Sequence, residues 1–163
     1  MIVLGVDPGS HATGYGVIAT GPVARMLAGG VIRAGRDLPL PGSLLAIHAA
    51  LTAVIAEHRP DAMAVEDLFN ARNPRSSLIL GHARGAILLA GAQAGLAVAE
   101  YAPREIKLAL TGNGAAAKEQ VRFMVMRLLR LRAEPPLDQS DALAVALAHA
   151  GRAGRGAGGL PRP

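Results

Sequence analysis

Four acidic residues have the types and spacing to hold a divalent metal. Asp7 closes the apolar run Ile2-Val3-Leu4-Gly5-Val6, and Glu66 closes a second, Ala62-Met63-Ala64-Val65. Asp138 and Asp141 lie three residues apart in Leu137-Asp138-Gln139-Ser140-Asp141. A carboxylate at the end of a buried strand is costly unless a cation compensates it. Two such strand ends plus an acidic pair spaced for one helix face suggest that the compensating charge is a metal. Hard cations such as Mg²⁺ prefer carboxylate oxygens and retain waters that can attack a phosphate.

Each acid also has a plainer reading. Asp7-Pro8-Gly9-Ser10 is composed of turn formers. Glu66 and Asp67 are adjacent, so strand alternation sends them to opposite faces, and spacing alone does not choose between them. Asp138 can cap a helix, with Asp141 in its first turn, and still present a carboxylate. Lys107 and Lys118 have the bland reading of solvated helix charges. Lys118, however, follows Gly112-Asn113-Gly114 at a helix start, where backbone N–H groups favour a phosphate. The five histidines have no metal-ligand spacing, and no Ser-His or Cys-His pair suggests a side-chain nucleophile.

Aromatics are scarce: only Tyr15, Phe69, Tyr101 and Phe123. Phe69 sits among loop formers and bases, with Arg72 and Arg75 close by in sequence. It can tuck under its loop, but the basic setting favours a stacking wedge on an exposed base, with the two arginines for phosphate or base edges.

The chain has 163 residues, enough for one domain with a substantial aliphatic core. Cysteine is absent, which excludes disulfides and thiolate zinc sites and fits a reducing cytosol. The N-terminus reads straight into a strand without a signal pattern, and the apolar runs read as too short or too interrupted to cross a membrane. A cytoplasmic protein with no membrane partner is expected. The formal charge of +5 suits a polyanion, although Arg152, Arg155 and Arg162 near the C-terminus contribute to it.

The elements that must position the acids follow from apolar periodicity. Strands are expected over Ile2 to Asp7, Tyr15 to Ala19, about Arg25 to Ile32, Ala62 to Glu66 and Leu96 to Tyr101. Helices are expected over Gly42 to Glu57, from Pro74 onward, Pro103 to Leu110, Ala115 to Leu131 and Leu137 to Ala150. The order implies a mixed α/β sheet with an antiparallel meander at one edge. If the strands ending in Asp7 and Glu66 are parallel neighbours, both carboxylates emerge at the end where open α/β sheets bind ligands. Gly81 and Gly85, four apart on one helix, permit close approach of another backbone, within the chain or from a second copy. Residues 1–150 make one domain, and residues 151–163, rich in Gly, Arg and Pro, read as a flexible tail.

Taken in order, several segments resemble the RuvC family of Holliday-junction resolvases, which have an RNase H-like fold. They are Gly5-Val6-Asp7-Pro8-Gly9-Ser10 with Thr13-Gly14-Tyr15-Gly16; Val65-Glu66-Asp67-Leu68-Phe69; Leu80-Gly81-His82-Ala83-Arg84-Gly85; Tyr101 to Lys107; Gly112 to Lys118; and Asp138 to Ala144. The resemblance implies a mixed five-stranded sheet flanked by helices. It also implies a homodimeric endonuclease that nicks two strands of four-way junction DNA with Mg²⁺ or Mn²⁺, two ions per site. It selects Asp7, Glu66, Asp138 and Asp141 as catalytic metal ligands, and it implies RuvA and RuvB as partners. Some members carry His in place of the first acid of the last pair; Asp138 here implies an all-carboxylate site. A non-catalytic junction binder and an RNA-processing nuclease on the same fold are the alternatives.

Overall fold

Alternation along each strand decides which side of the sheet a residue serves. In β1 (Ile2–Asp7), Val3 turns to one side and Leu4 and Val6 to the other, and all three are fully buried. The computed structural model describes residues 1–9, 12–33, 38–67 and 74–156. β1 pairs antiparallel with β2 (Thr13–Ala19), which pairs antiparallel with β3 (Arg25–Ile32). On its other side β1 pairs parallel with β4 (Ala62–Glu66), and β4 pairs parallel with β5 (Ala97–Tyr101). The sheet order is β3-β2-β1-β4-β5, the expected mixed sheet with its meander at one edge.

One layer of helices covers each face. α1 (Leu40–His58) and α2 (Pro74–Gln93) bury Ile47, Leu51, Ile55 and Ile87 against Leu4, Val6, Val17, Met63 and Val65. α3 (Pro103–Thr111), α4 (Lys118–Leu129) and α5 (Leu137–Gly156) cover the face of Val3, Ile18, Ala64 and Tyr101.

Element order agrees with the sequence throughout; the differences are at ends. α4 starts at Lys118 rather than Ala115, because Asn113 Oδ1 accepts the Ala115 N–H and holds a turn there. α5 continues past Ala150 to Gly156, so six residues assigned by composition to a tail are helical; residues 157–163 lie outside the described part. α1 corrects the reading of the apolar runs. At 19 residues and a mean hydropathy of 1.5 it is long and apolar enough to cross a membrane, yet Ile47, Leu51 and Ile55 seat it on the sheet. Among the described residues, a Cβ on Gly81 or Gly85 would meet nothing within 4 Å beyond its own helix.

Candidate active site

Asp7 and Glu66 end neighbouring parallel strands, and the alternation that buries Val3 and Ala64 under α5 sends both carboxylates to the α5 side. Asp67, one residue on, goes to the other side, where Arg84 of α2 meets it at 3.4 Å and also pairs with Glu100 of β5. The two adjacent acids therefore have different environments: Asp67 has a cation, whereas Glu66 faces other carboxylates.

α5 supplies the second pair. The Ser140 N–H donates to the Pro136 carbonyl, which makes Pro136 the residue that opens the helix and puts Asp138 inside its first turn rather than at the cap. The helix lies almost on the sheet backbone. A Cβ at Gly14, the cross-strand partner of Asp7, would be 1.9 Å from the Asp138 carbonyl oxygen, and one at Gly5 would be 2.1 Å from that of Ala142. Glycine is required at both positions by close approach. Sequence reading used these glycines only as motif letters; their signal is alternation on the Asp7 face of β1 and β2, matched by Ala142 and Ala146 on α5.

Asp7, Glu66, Asp141, Lys107 and Lys118 line one cavity of about 290 Å³, with Pro103, Ile106, Val121 and Ala144 as its apolar wall. Asp138 does not line it, but its charge is felt by Asp7. Burial, reinforced by the charges of Glu66, Asp141 and Asp138, pushes the Asp7 carboxyl up to about 8. Burial also raises Glu66, while its hydrogen bond with Asp7 and the two lysines pull the other way. Lys118 Nζ lies 3.4 Å from Asp141 Oδ2, and that carboxylate raises the lysine's pKa. Among the described residues, no three His, Asp or Glu side chains are drawn together into a ready-made cage. The donor set still fits a hard divalent cation: its oxygens are carboxylates, and their mutual repulsion in a partly apolar cavity is what such a charge would relieve.

The structure thus brings together three of the four acids and both lysines, with Asp138 at the margin. Arg75 is exposed in the first turn of α2, away from the cavity lining. Phe69 and Arg72 lie outside the described residues. Sequence reading missed a clamp beside the site. Tyr101, in register with Glu66, shares a 2.9 Å hydrogen bond with His149 Nδ1 of α5, and Arg152 lies over its ring.

Comparison with known proteins adds an independent line. Residues 3–149 match the family model described as crossover junction endodeoxyribonuclease RuvC. The curated protein of that name from Halorhodospira halophila is 51% identical over 148 residues, which are 91% of this chain and 89% of the relative. The one from Pseudomonas putida is 48% identical over 150 residues, 91% and 86% of the two chains. Among solved structures, Thermus thermophilus RuvC in complex with a Holliday junction substrate superposes with a TM-score of 0.91 at 42% identity, covering 96% of each chain. A yeast mitochondrial Holliday junction resolvase shares the fold, with a TM-score of 0.64 at 14% identity over 90% of this chain and 76% of its own.

Proposed function

The chain belongs to the RuvC family of crossover junction endodeoxyribonucleases, and from that premise we infer that it resolves four-way DNA junctions by metal-dependent hydrolysis. The observation that carries the reading to this chain's own residues is the cavity where Asp7, Glu66 and Asp141 face one another beside Lys107 and Lys118. Asp7, Glu66, Asp138 and Asp141 hold the metal, Mg²⁺ or Mn²⁺, and two ions suit four carboxylates. Bound there, the ions supply an activated water and stabilise the leaving 3′ oxygen.

The protein's own groups do the rest. The water oxygen forms a bond to phosphorus, the bond to the 3′ oxygen breaks, and the products are a 5′ phosphate and a 3′ hydroxyl. Lys107 and Lys118 offset the charge that develops on the phosphate. Lys118 is well placed to exchange partners, because its ion pair with Asp141 is exposed and correspondingly weak. Phe69 acts as a wedge under an unpaired base, with Arg72 and Arg75 for phosphate or base edges; its support is the composition of its segment.

A junction offers two equivalent strands, so two identical sites suit it, and we assign the chain a homodimer. The outer stripe of α2 supports this assignment. Leu78 and Leu89 are more than half exposed there, and Gly81 and Gly85 between them leave room for another backbone. RuvA and RuvB are the partners that family membership suggests, and the cytoplasm is the compartment where a bacterial chromosome meets such an enzyme. The decisive experiment compares Mg²⁺-dependent cleavage of a synthetic four-way junction, a linear duplex and an RNA–DNA hybrid. Paired, symmetric nicks confined to the junction support the reading, and preferential cutting of the hybrid transfers the site to RNA processing.

A further inference from the structure

Gln139 stands between the two acids of α5, and its side chain leaves the helix in another direction. At about 100° per residue, it is turned roughly 100° from Asp138 and roughly 160° from Asp141. It is also buried, with 9% of its surface exposed. Its Nε2 donates to Met26 Sδ, 3.6 Å away on the edge strand β3. The amide lies in a slot that exists because residue 29 is glycine: a Cβ there would be 2.6 Å from Nε2.

We propose that Gln139 is a positioning residue for the candidate metal ligands: its amide, seated against Gly29 and bonded to Met26, fixes the rotation of the first turn of α5. The inference rests on the reading of Asp138 and Asp141 as ligands. A carboxylate on a helix is about 5 Å from the axis, given a Cα radius of about 2.3 Å plus the side chain. A rotation of only about 10° then moves it by about 1 Å, whereas metal–oxygen distances tolerate about 0.2 Å. Gly5 and Gly14 set the height of α5 above the sheet, and Leu143, seated at Gly16 within the buried run from Ala142 to Ala148, holds the body of the helix. The first turn lies ahead of that run, and Gln139 gives it a sideways contact with β3. An amide suits the task better than an aliphatic chain, because a buried N–H must keep its acceptor and so favours one rotamer.

The test measures Mn²⁺ affinity by electron paramagnetic resonance, without DNA, together with the melting temperature. Gln139→Leu keeps the volume and removes the donor; Gly29→Ala keeps the glutamine and pushes only the far end of its flexible side chain out of the slot. Each is expected to weaken Mn²⁺ binding about tenfold, the effect typical of a group that orients a ligand. Gly29→Ala should cost nothing further once Gln139→Ala is present, because the methyl then has no amide to displace. Wild-type affinity in Gln139→Leu, or losses from Gly29→Ala and Gln139→Ala that multiply, would overturn the proposal. Asp7→Asn is titrated alongside. If it loses Mn²⁺ while Gln139→Leu does not, only the positioning role fails; if it keeps Mn²⁺, the ligand reading fails and this inference with it.

Discussion

The two faces of the sheet are built by different rules. Towards α1 and α2 the strands present Leu4, Val6, Val17, Met63 and Val65, and the helices answer with Ile47, Leu51, Ile55 and Ile87. Towards α5 they present Gly5, Gly14 and Gly16, and the helix answers with the Asp138 backbone, Ala142, Ala146 and the Leu143 side chain. The first face is an ordinary side-chain layer whose bulk stabilises the fold. The second also buries bulk, Val3 and Ile18 among Leu143, Val145 and Leu147, but at Gly5 and Gly14 it brings helix backbone against strand backbone and so gains a defined height. Both acidic strand ends open on the second face. Bulk serves both sides of this molecule, and close approach places the charges on the second.

Asp7→Asn breaks the comparison most severely. Junction cleavage should fall by more than about a hundredfold, since disturbing merely a ligand's partner already costs up to that much. Gel-shift binding of the junction without metal should survive. In chelator at neutral pH the variant should also melt above the wild type, because folding then no longer has to protonate a buried Asp7.

The next contrast sets one substitution on each face. Leu51→Ala empties a fully buried position between α1 and the sheet and should cost about 2–5 kcal/mol by denaturant titration, with Mn²⁺ affinity of the folded protein unchanged. Gly5→Ala adds a methyl 2.1 Å from the Ala142 carbonyl and should cost about 1–3 kcal/mol while also weakening Mn²⁺ binding, because α5 must lift. Equal effects of the two on the metal would dissolve the distinction between the faces.

The acids also make a smaller, signed prediction for pH. Asp7 has an ordinary carboxyl pKa of 3.8 raised to about 8 in the fold, so between those values the native state binds the extra proton. Stability of the metal-free protein is then greatest below about pH 4 as far as this group is concerned, and it is lost as the pH rises through about 8. Melting curves in chelator should therefore drop across that window, and Mg²⁺ should raise the melting temperature most at its upper end. A rise with pH would contradict burial and neighbouring carboxylates as the cause.

The smallest effect sharpens the picture of the outer layer. Gly81→Ala meets open space and should stabilise the monomer by up to about 1 kcal/mol through helix propensity. If α2 seats a second copy of the chain, the same methyl should weaken the dimer in a sedimentation experiment.

Much of this was legible in the sequence because it depends on local periodicity. Apolar runs ending in Asp7 and Glu66 announced two strand ends, and their parallel pairing put both acids at one edge of the sheet. Glu66 and Asp67 could not be told apart by spacing, since the answer lies in Arg84, a residue of the opposite helix layer. The start of α4 was missed because a side-chain turn at Asn113 competes with an otherwise helical run of alanines. The seating of α5 was hidden for a similar reason: a glycine in a strand reads as a weak spot until the helix that lies on it is known.

Those adjacent acids offer the most direct measurement. Glu66→Gln and Asp67→Asn change neighbouring residues by one charge each, on opposite faces of the sheet. Mn²⁺ titration followed by junction cleavage in the same samples should show loss of both in Glu66→Gln and retention of both in Asp67→Asn. Retained metal binding and cutting in Glu66→Gln, or their loss in a folded Asp67→Asn, would contradict the assignment of the chemistry to the α5 face.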